Sequence, residues 1–130
     1  MRLQLGGFWY LASPYSGTPD EMEFRAFEAR WYMGELLKKG IICYSPIWSM
    51  HHISLSNGIP PDAKTWWAFN KVFMAASIGT IVACIPGWKQ SFGIQEEIEY
   101  TRTFGRPIQY AVKRDNIIET MDNVSKDYAS

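Results

Sequence analysis

Residues 7–40, GFWYLASPYSGTPDEMEFRAFEARWYMGELLKKG, decide the fold. They open on a short apolar and aromatic run, residues 8–13, bounded by Gly7 and Pro14, which reads as a buried strand. A helix with both ends spelled out follows. Thr18 can cap it, Pro19 suits the first helical position, and Glu21, three residues after Thr18, completes a capping box. Gly40 supplies the stop, after Lys38 and Lys39 in the last turn. Between these ends Met22, Ala26, Ala29, Met33, Leu36 and Leu37 recur at helical spacing and make one apolar face, so the helix is expected to pack on a sheet.

The remainder of the chain repeats this alternation. Residues 41–44 read as a second strand ending at Ser45-Pro46, and residues 47–61 as a long loop holding His51, His52, Asn57-Gly58 and Pro60-Pro61. Loops above about 12 residues are usually functional, so substrate contacts are expected there. Residues 62–77 read as an aromatic-rich helix, 80–85 as a third strand that stops at Pro86-Gly87, 91–104 as a third helix ended by Gly105, and 107–112 as a fourth strand. The polar stretch 113–130 is expected to be a C-terminal helix, over 116–127, or a frayed tail. Strands alternating with helices predict one α/β domain over residues 1–112. Its expected form is a flavodoxin-like (Rossmann-like) doubly wound parallel sheet of about four to five strands, with right-handed crossovers and helices on both faces.

Composition narrows the function classes. A chain of 130 residues holds one core and one main site. Six Trp, seven Tyr and seven Phe exceed what so small an interior needs, so some rings should line a pocket or an interface between copies. Thirteen Lys and Arg balance thirteen Asp and Glu, with no basic cluster longer than Lys38-Lys39, which argues against duplex nucleic acid as partner. Cys43 and Cys84 each lie in a short apolar run and read as buried free thiols, fitting a reducing, cytoplasmic setting. The first apolar run breaks at Pro14, too short for a signal peptide, and no stretch approaches the roughly 20 apolar residues of a membrane span.

In an open parallel sheet the ligand crevice lies beyond the carboxyl ends of the strands, where strand order reverses. Those ends are Ser13-Pro14-Tyr15-Ser16-Gly17, Ser45-Pro46-Ile47 and residues 86–93, all rich in small hydroxyl and turn residues that suit an anionic or polyhydroxylated ligand and also simply make turns. The sharper signal is in the third helix. Ile94, Ile98, Thr101 and Phe104 define its inward face and Glu97 lies on that face, whereas Glu96, Glu99 and Arg102 point elsewhere. A carboxylate on an apolar face needs a hydrogen-bond donor or a chemical task, because burial disfavours its charged form. The spacing also admits a half-exposed Glu97 at the edge of the face.

The run SxGxxxE formed by Ser91, Gly93 and Glu97, just after a strand and opening a helix, together with Tyr10 in FWYLASPYS, resembles the nucleoside 2-deoxyribosyltransferases and the related deoxynucleotide N-glycosidases. The similarity is closest to a branch of short bacterial and phage proteins of unassigned function, with the pattern YLASPYS, then SPI with a following His, then PGWxxSxGxxxE. Here those elements are residues 10–16, residues 45–47 with His51, and residues 86–97, and the resemblance extends to about Tyr110. It implies that Glu97 attacks the anomeric carbon of a ribosyl or deoxyribosyl group, with Tyr10 holding it in place and no metal or redox cofactor taking part. Ser91 and the backbone around Gly93 would meet a sugar hydroxyl or a 5′-phosphate. Ser13, Tyr15, Ser16, Ser45, Pro46 and Gly87 would line the site, His51 would touch substrate or only pack the loop, and Arg25 would contact phosphate or remain a solvated surface charge.

One position departs from that family's pattern. An Asp that helps protonate or orient the leaving base is replaced by Asn70, and an amide cannot deliver a proton at neutral pH. A different base, a different acid such as Asp62, or lost catalysis are the alternatives. Adjacent histidines rarely face one ion, and neither CxxC nor HExxH spacing occurs, so no metal is predicted at His51 and His52. Trp88 is the expected base-stacking ring, while Trp66, Trp67 and Phe69 suit core or a homo-oligomer interface. The sequence thus predicts an N-glycosidic hydrolase or transferase acting on a small nucleoside or nucleotide, with a nucleotide-binding module of the same fold as the alternative.

Overall fold

A computed structural model describes residues 2–60 and 62–124. Its elements are β1 (Trp9–Ala12), α1 (Pro19–Lys38), β2 (Cys43–Tyr44), α2 (Pro46–Asn57), α3 (Ala63–Ala76), β3 (Gly79–Ala83), a short 3-10 turn (Trp88–Gln90), α4 (Phe92–Thr103), β4 (Ile108–Arg114) and β5 (Ile117–Met121). The five strands form one sheet in the order β2-β1-β3-β4-β5, parallel except for β5, which pairs antiparallel with β4. This is an α/β fold with a flavodoxin-like arrangement, as the alternation of strands and helices predicts.

Side-chain alternation along the strands builds two cores, one on each face of the sheet. Leu11, Ile81, Ala83 and Ala111 pack under Tyr32 and Leu36 of α1. Tyr10, Ala12, Val82, Cys84 and Val112 pack under Met74 of α3 and Ile94 and Ile98 of α4. The capping box at Thr18 is present with both hydrogen bonds, and α1 ends at Lys38. Its buried face is made by Ala26, Ala29, Tyr32 and Leu36; Met22 and Met33 are only half buried and Leu37 is exposed. Tyr32, not Leu37, belongs to this face because Ala29, Tyr32 and Leu36 follow the three-and-four spacing of one side of a helix.

Two stretches differ from the sequence expectation. The expected loop at 47–61 is largely α2, started by Ser45, whose hydroxyl accepts from Trp48 N–H, and by Pro46 at its first position. Gly58 ends it in the left-handed region at φ 64°, where a residue without Cβ is unstrained. The expected C-terminal helix or tail contributes β5 over residues 117–121, because Asp115 and Asn116, at φ 51° and 60°, turn the chain back in a tight hairpin and Ile118 drops into the core. The last part of that stretch, residues 125–130, lies outside the described residues. Among the described residues no helix is long and apolar enough to cross a membrane.

Candidate active site

β1 is the strand at which the order reverses, flanked by β2 on one side and β3 on the other. Beyond its carboxyl end lies a cleft of about 540 Å³. Each neighbouring segment contributes to its walls. Ser13, Tyr15 and Ser16 come from the end of β1, Arg25 from α1, Pro46, His51 and Ser54 from α2, Trp66, Trp67 and Asn70 from α3, and Gly87, Ser91, Gly93, Glu96 and Glu97 from the β3–α4 segment.

Glu97 is 7% exposed, on the face of α4 that carries Ile94, Ile98 and Thr101. The Tyr10 hydroxyl, wholly buried on β1, donates to Glu97 Oε2. Behind the carboxylate, the Thr101 hydroxyl donates to Glu97 O at 2.8 Å and lies 2.7 Å from the Thr80 hydroxyl of β3, which ties this turn of α4 to the sheet. Burial pushes the Glu97 carboxyl up to about 8, the Tyr10 hydrogen bond pulling the other way and nearby Glu96 adding to the rise. Burial, and then the Glu97 charge, hold the Tyr10 phenol well above its ordinary value, so it stays a donor.

The mouth of the cleft is polar. Arg25 donates through Nη1 to Ser16 O, and its Nη2 lies under Gly87, where an added Cβ would approach it to 3.2 Å at a backbone φ of 96°. Ser91 caps α4, accepting from Ile94 N–H at 3.3 Å, so its own O–H and the first N–H groups of the helix remain available to an anion. Ser13 Oγ is buried without a hydrogen-bond partner in the cleft wall. On the opposite wall the Tyr15 hydroxyl is 2.7 Å from His51 Nδ1, and His51 Nε2 is 2.5 Å from Glu23 Oε2. The His51 hydrogen bond holds the Glu23 carboxyl below the usual carboxylate range, while burial and the Glu23 charge raise the Tyr15 phenol.

Several expected residues take other places. Ser45 is fully buried as the cap of α2 and does not reach the cleft. Trp88 packs in the α3–α4 core against Tyr110, at 5.6 Å between rings, so it is not the stacking surface. Trp66 and Trp67 line the cleft instead, together with Tyr15, His51 and Phe92. Asp62 is exposed and spends its carboxylate capping α3 at Thr65, away from the cleft. Glu96, expected to point elsewhere, lines the cleft, as do Met50, Lys64 and Gln90. Glu23 stands out only once α1 and α2 are seen side by side; its solvated spacing on α1 carries no signal in the sequence.

Among curated proteins none matches the chain. Residues 7–112, which hold every cleft element from β1 to α4, match the family model described as Domain of unknown function (DUF1937), and the chain belongs to that family.

Proposed function

We propose that the protein cleaves or exchanges the N-glycosidic bond of a (deoxy)nucleoside or nucleoside 5′-monophosphate, with Glu97 as nucleophile. The observation that carries this reading is the buried Tyr10–Glu97 pair, which presents one carboxylate to a cleft large enough for a nucleoside. The ionised carboxylate attacks the anomeric carbon as the bond to the base nitrogen breaks. The bonding electrons leave with the base, and a glycosyl ester remains on Glu97. Water, or a second base, then attacks the same carbon and returns the carboxylate. Negative charge beneath the sugar also stabilises the oxocarbenium-like transition state.

The surrounding groups support this assignment. Trp66 and Trp67 offer apolar faces to a base, Ser13 Oγ an unsatisfied hydroxyl, and Arg25 with the N-terminus of α4 a place for a 5′-phosphate. Asn70 can hydrogen-bond a base edge but has no proton to give, and Glu96 lines the same cleft. The reaction requires no redox cofactor. A homo-oligomer in the cytoplasm belongs to the same reading, supported by the exposed Phe24, Phe27, Ile53 and Leu55 on α1 and α2 and by the free buried thiols Cys43 and Cys84. A monomer by light scattering would remove the oligomer from it.

Asn70 favours a second reading, a nucleotide-binding module that keeps the cleft without efficient turnover. The test is to incubate the protein and a Glu97→Ala variant with a panel of nucleosides and 5′-monophosphates and to follow free base by chromatography. Base release by the wild type alone is the expected result. Silence across the panel, with a nucleotide still raising the melting temperature, would replace the enzyme by the binding module.

A further inference from the structure

Among the described residues, Glu23 of α1 and His51 and His52 of α2 bring their ligand atoms within 4.8 Å of one another. Adjacent helical residues diverge by about 100°, the physical basis for expecting no shared ion. Here, however, Glu23 on the neighbouring helix reaches both rings through one carboxylate. Nε2 of His51 is 2.5 Å from Oε2 and Nε2 of His52 is 3.7 Å from Oε1 of the same carboxylate. A tetrahedral ion with bonds of about 2.0–2.1 Å sets its ligand atoms about 3.3–3.4 Å apart. One observed separation is shorter and the other longer than that spacing, so ion binding requires the side chains to rotate.

Two further observations point to an ion. His51 is 3% exposed and its other ring nitrogen, Nδ1, is held 2.7 Å from the Tyr15 hydroxyl, the outer hydrogen bond that orients a ligating imidazole. His52 is flanked by the rings of Trp48, at 5.4 Å, and Phe27, at 6.1 Å, an apolar shell on one side of the cluster. Two imidazole nitrogens and one carboxylate suit a borderline transition ion rather than Mg²⁺ or Ca²⁺, which prefer all-oxygen sets.

We propose that Glu23, His51 and His52 bind a divalent transition ion, Zn²⁺ before others, at the rim of the cleft, with a fourth position open to water. The ion would change what the cleft offers its ligand. Without it, the Glu23 carboxylate accepts from His51 Nε2–H, so Nδ1 accepts from the Tyr15 hydroxyl. With the ion on Nε2, the imidazole loses that proton to solvent and takes one up at Nδ1, staying neutral overall. Nδ1–H then donates to the Tyr15 oxygen, and the phenolic O–H is released to turn into the cleft. The ion thereby converts Tyr15 from a donor to the protein into a donor to whatever occupies the cleft. None of this rests on the glycosidic chemistry.

The test is calorimetric titration of the EDTA-stripped protein with Zn²⁺ alone, beside Glu23→Gln, His52→Ala and Glu97→Gln, with Co²⁺ as an absorbing substitute. The Glu23 and His52 side chains are 46% and 49% exposed, so neither substitution threatens the fold. The expected result is one Zn²⁺ per chain at micromolar affinity or tighter, weakened about 10-fold or more in Glu23→Gln and His52→Ala. Glu97→Gln should bind as the wild type does, and the Co²⁺ complex should show the intense visible bands of a four-coordinate site. Absence of saturable binding, or binding that survives both Glu23→Gln and His52→Ala unchanged, overturns the proposal. Loss of base release in Glu97→Gln with metal binding intact keeps the two readings apart.

Discussion

At Glu97 burial and reactivity oppose each other. The interior that excludes water from the cleft floor favours the neutral carboxyl, up to about 8, yet the proposed attack needs the carboxylate. The wild-type kcat/KM for base release is therefore expected to climb with pH, reach half its maximum near pH 8 and level off above it, because Tyr10 keeps its proton throughout; a profile flat from pH 5 to 9 would remove Glu97 from the chemistry. The same shift is a stability statement. The folded value lies above the ordinary 4.5, so the folded state holds the proton more tightly, and stability is full below about pH 4.5 and is lost as pH rises toward 8. Glu97→Gln removes the titration while Tyr10 can still donate to the amide oxygen. It should be more stable than the wild type at pH 9, by several kcal/mol, and no more stable at pH 4 by denaturant unfolding; a variant less stable at both would refute the burial argument. Glu97 was legible from its spacing with Ile94 and Thr101, which also admitted a half-exposed position, and Tyr10 from the resemblance. Glu23 was not, since its pairing with His51 crosses between two helices.

At the scale of elements, α2 shows what sequence grammar carries and where it misleads. Ser45-Pro46 is the same cap-and-start signal as Thr18-Pro19, but the apolar residues behind it make no single stripe. Ile53 and Leu55 are exposed, His51 and Ser54 are buried, and without a one-sided pattern the stretch reads as loop. The helix is held by its ends and by packing on α1, including Phe27 against Trp48 at 5.4 Å. Ser45→Ala should thus cost about 1 kcal/mol of stability, lower the melting temperature by several degrees, and weaken nucleotide binding through displacement of His51. An unchanged melting temperature would mean that the cap contributes nothing. The hairpin to β5 was hidden for a related reason, since only Ile118 of that strand is buried in the core and the turn is made by Asp115-Asn116 rather than by glycine.

The molecule as a whole is the part the sequence disclosed best. Alternating strands and one-faced helices fix a parallel sheet, and a parallel sheet fixes where its crevice must lie, so residues 80 or more positions apart, Tyr10 and Glu97, are brought to one point at the reversal of strand order. The chemistry of the walls was less legible, because Trp66 and Trp67 face the cleft while Trp88 is consumed by the core. On the proposed route Glu97 becomes glycosylated. The most direct test is intact-mass and peptide mass spectrometry after incubation with nucleosides whose sugar carries fluorine at C2′, an electron-withdrawing group that slows breakdown of the glycosyl ester. The expected result is a sugar adduct on the α4 peptide at Glu97, absent from Glu97→Gln. Base release that persists in Glu97→Gln, or an adduct on any other residue, would contradict it.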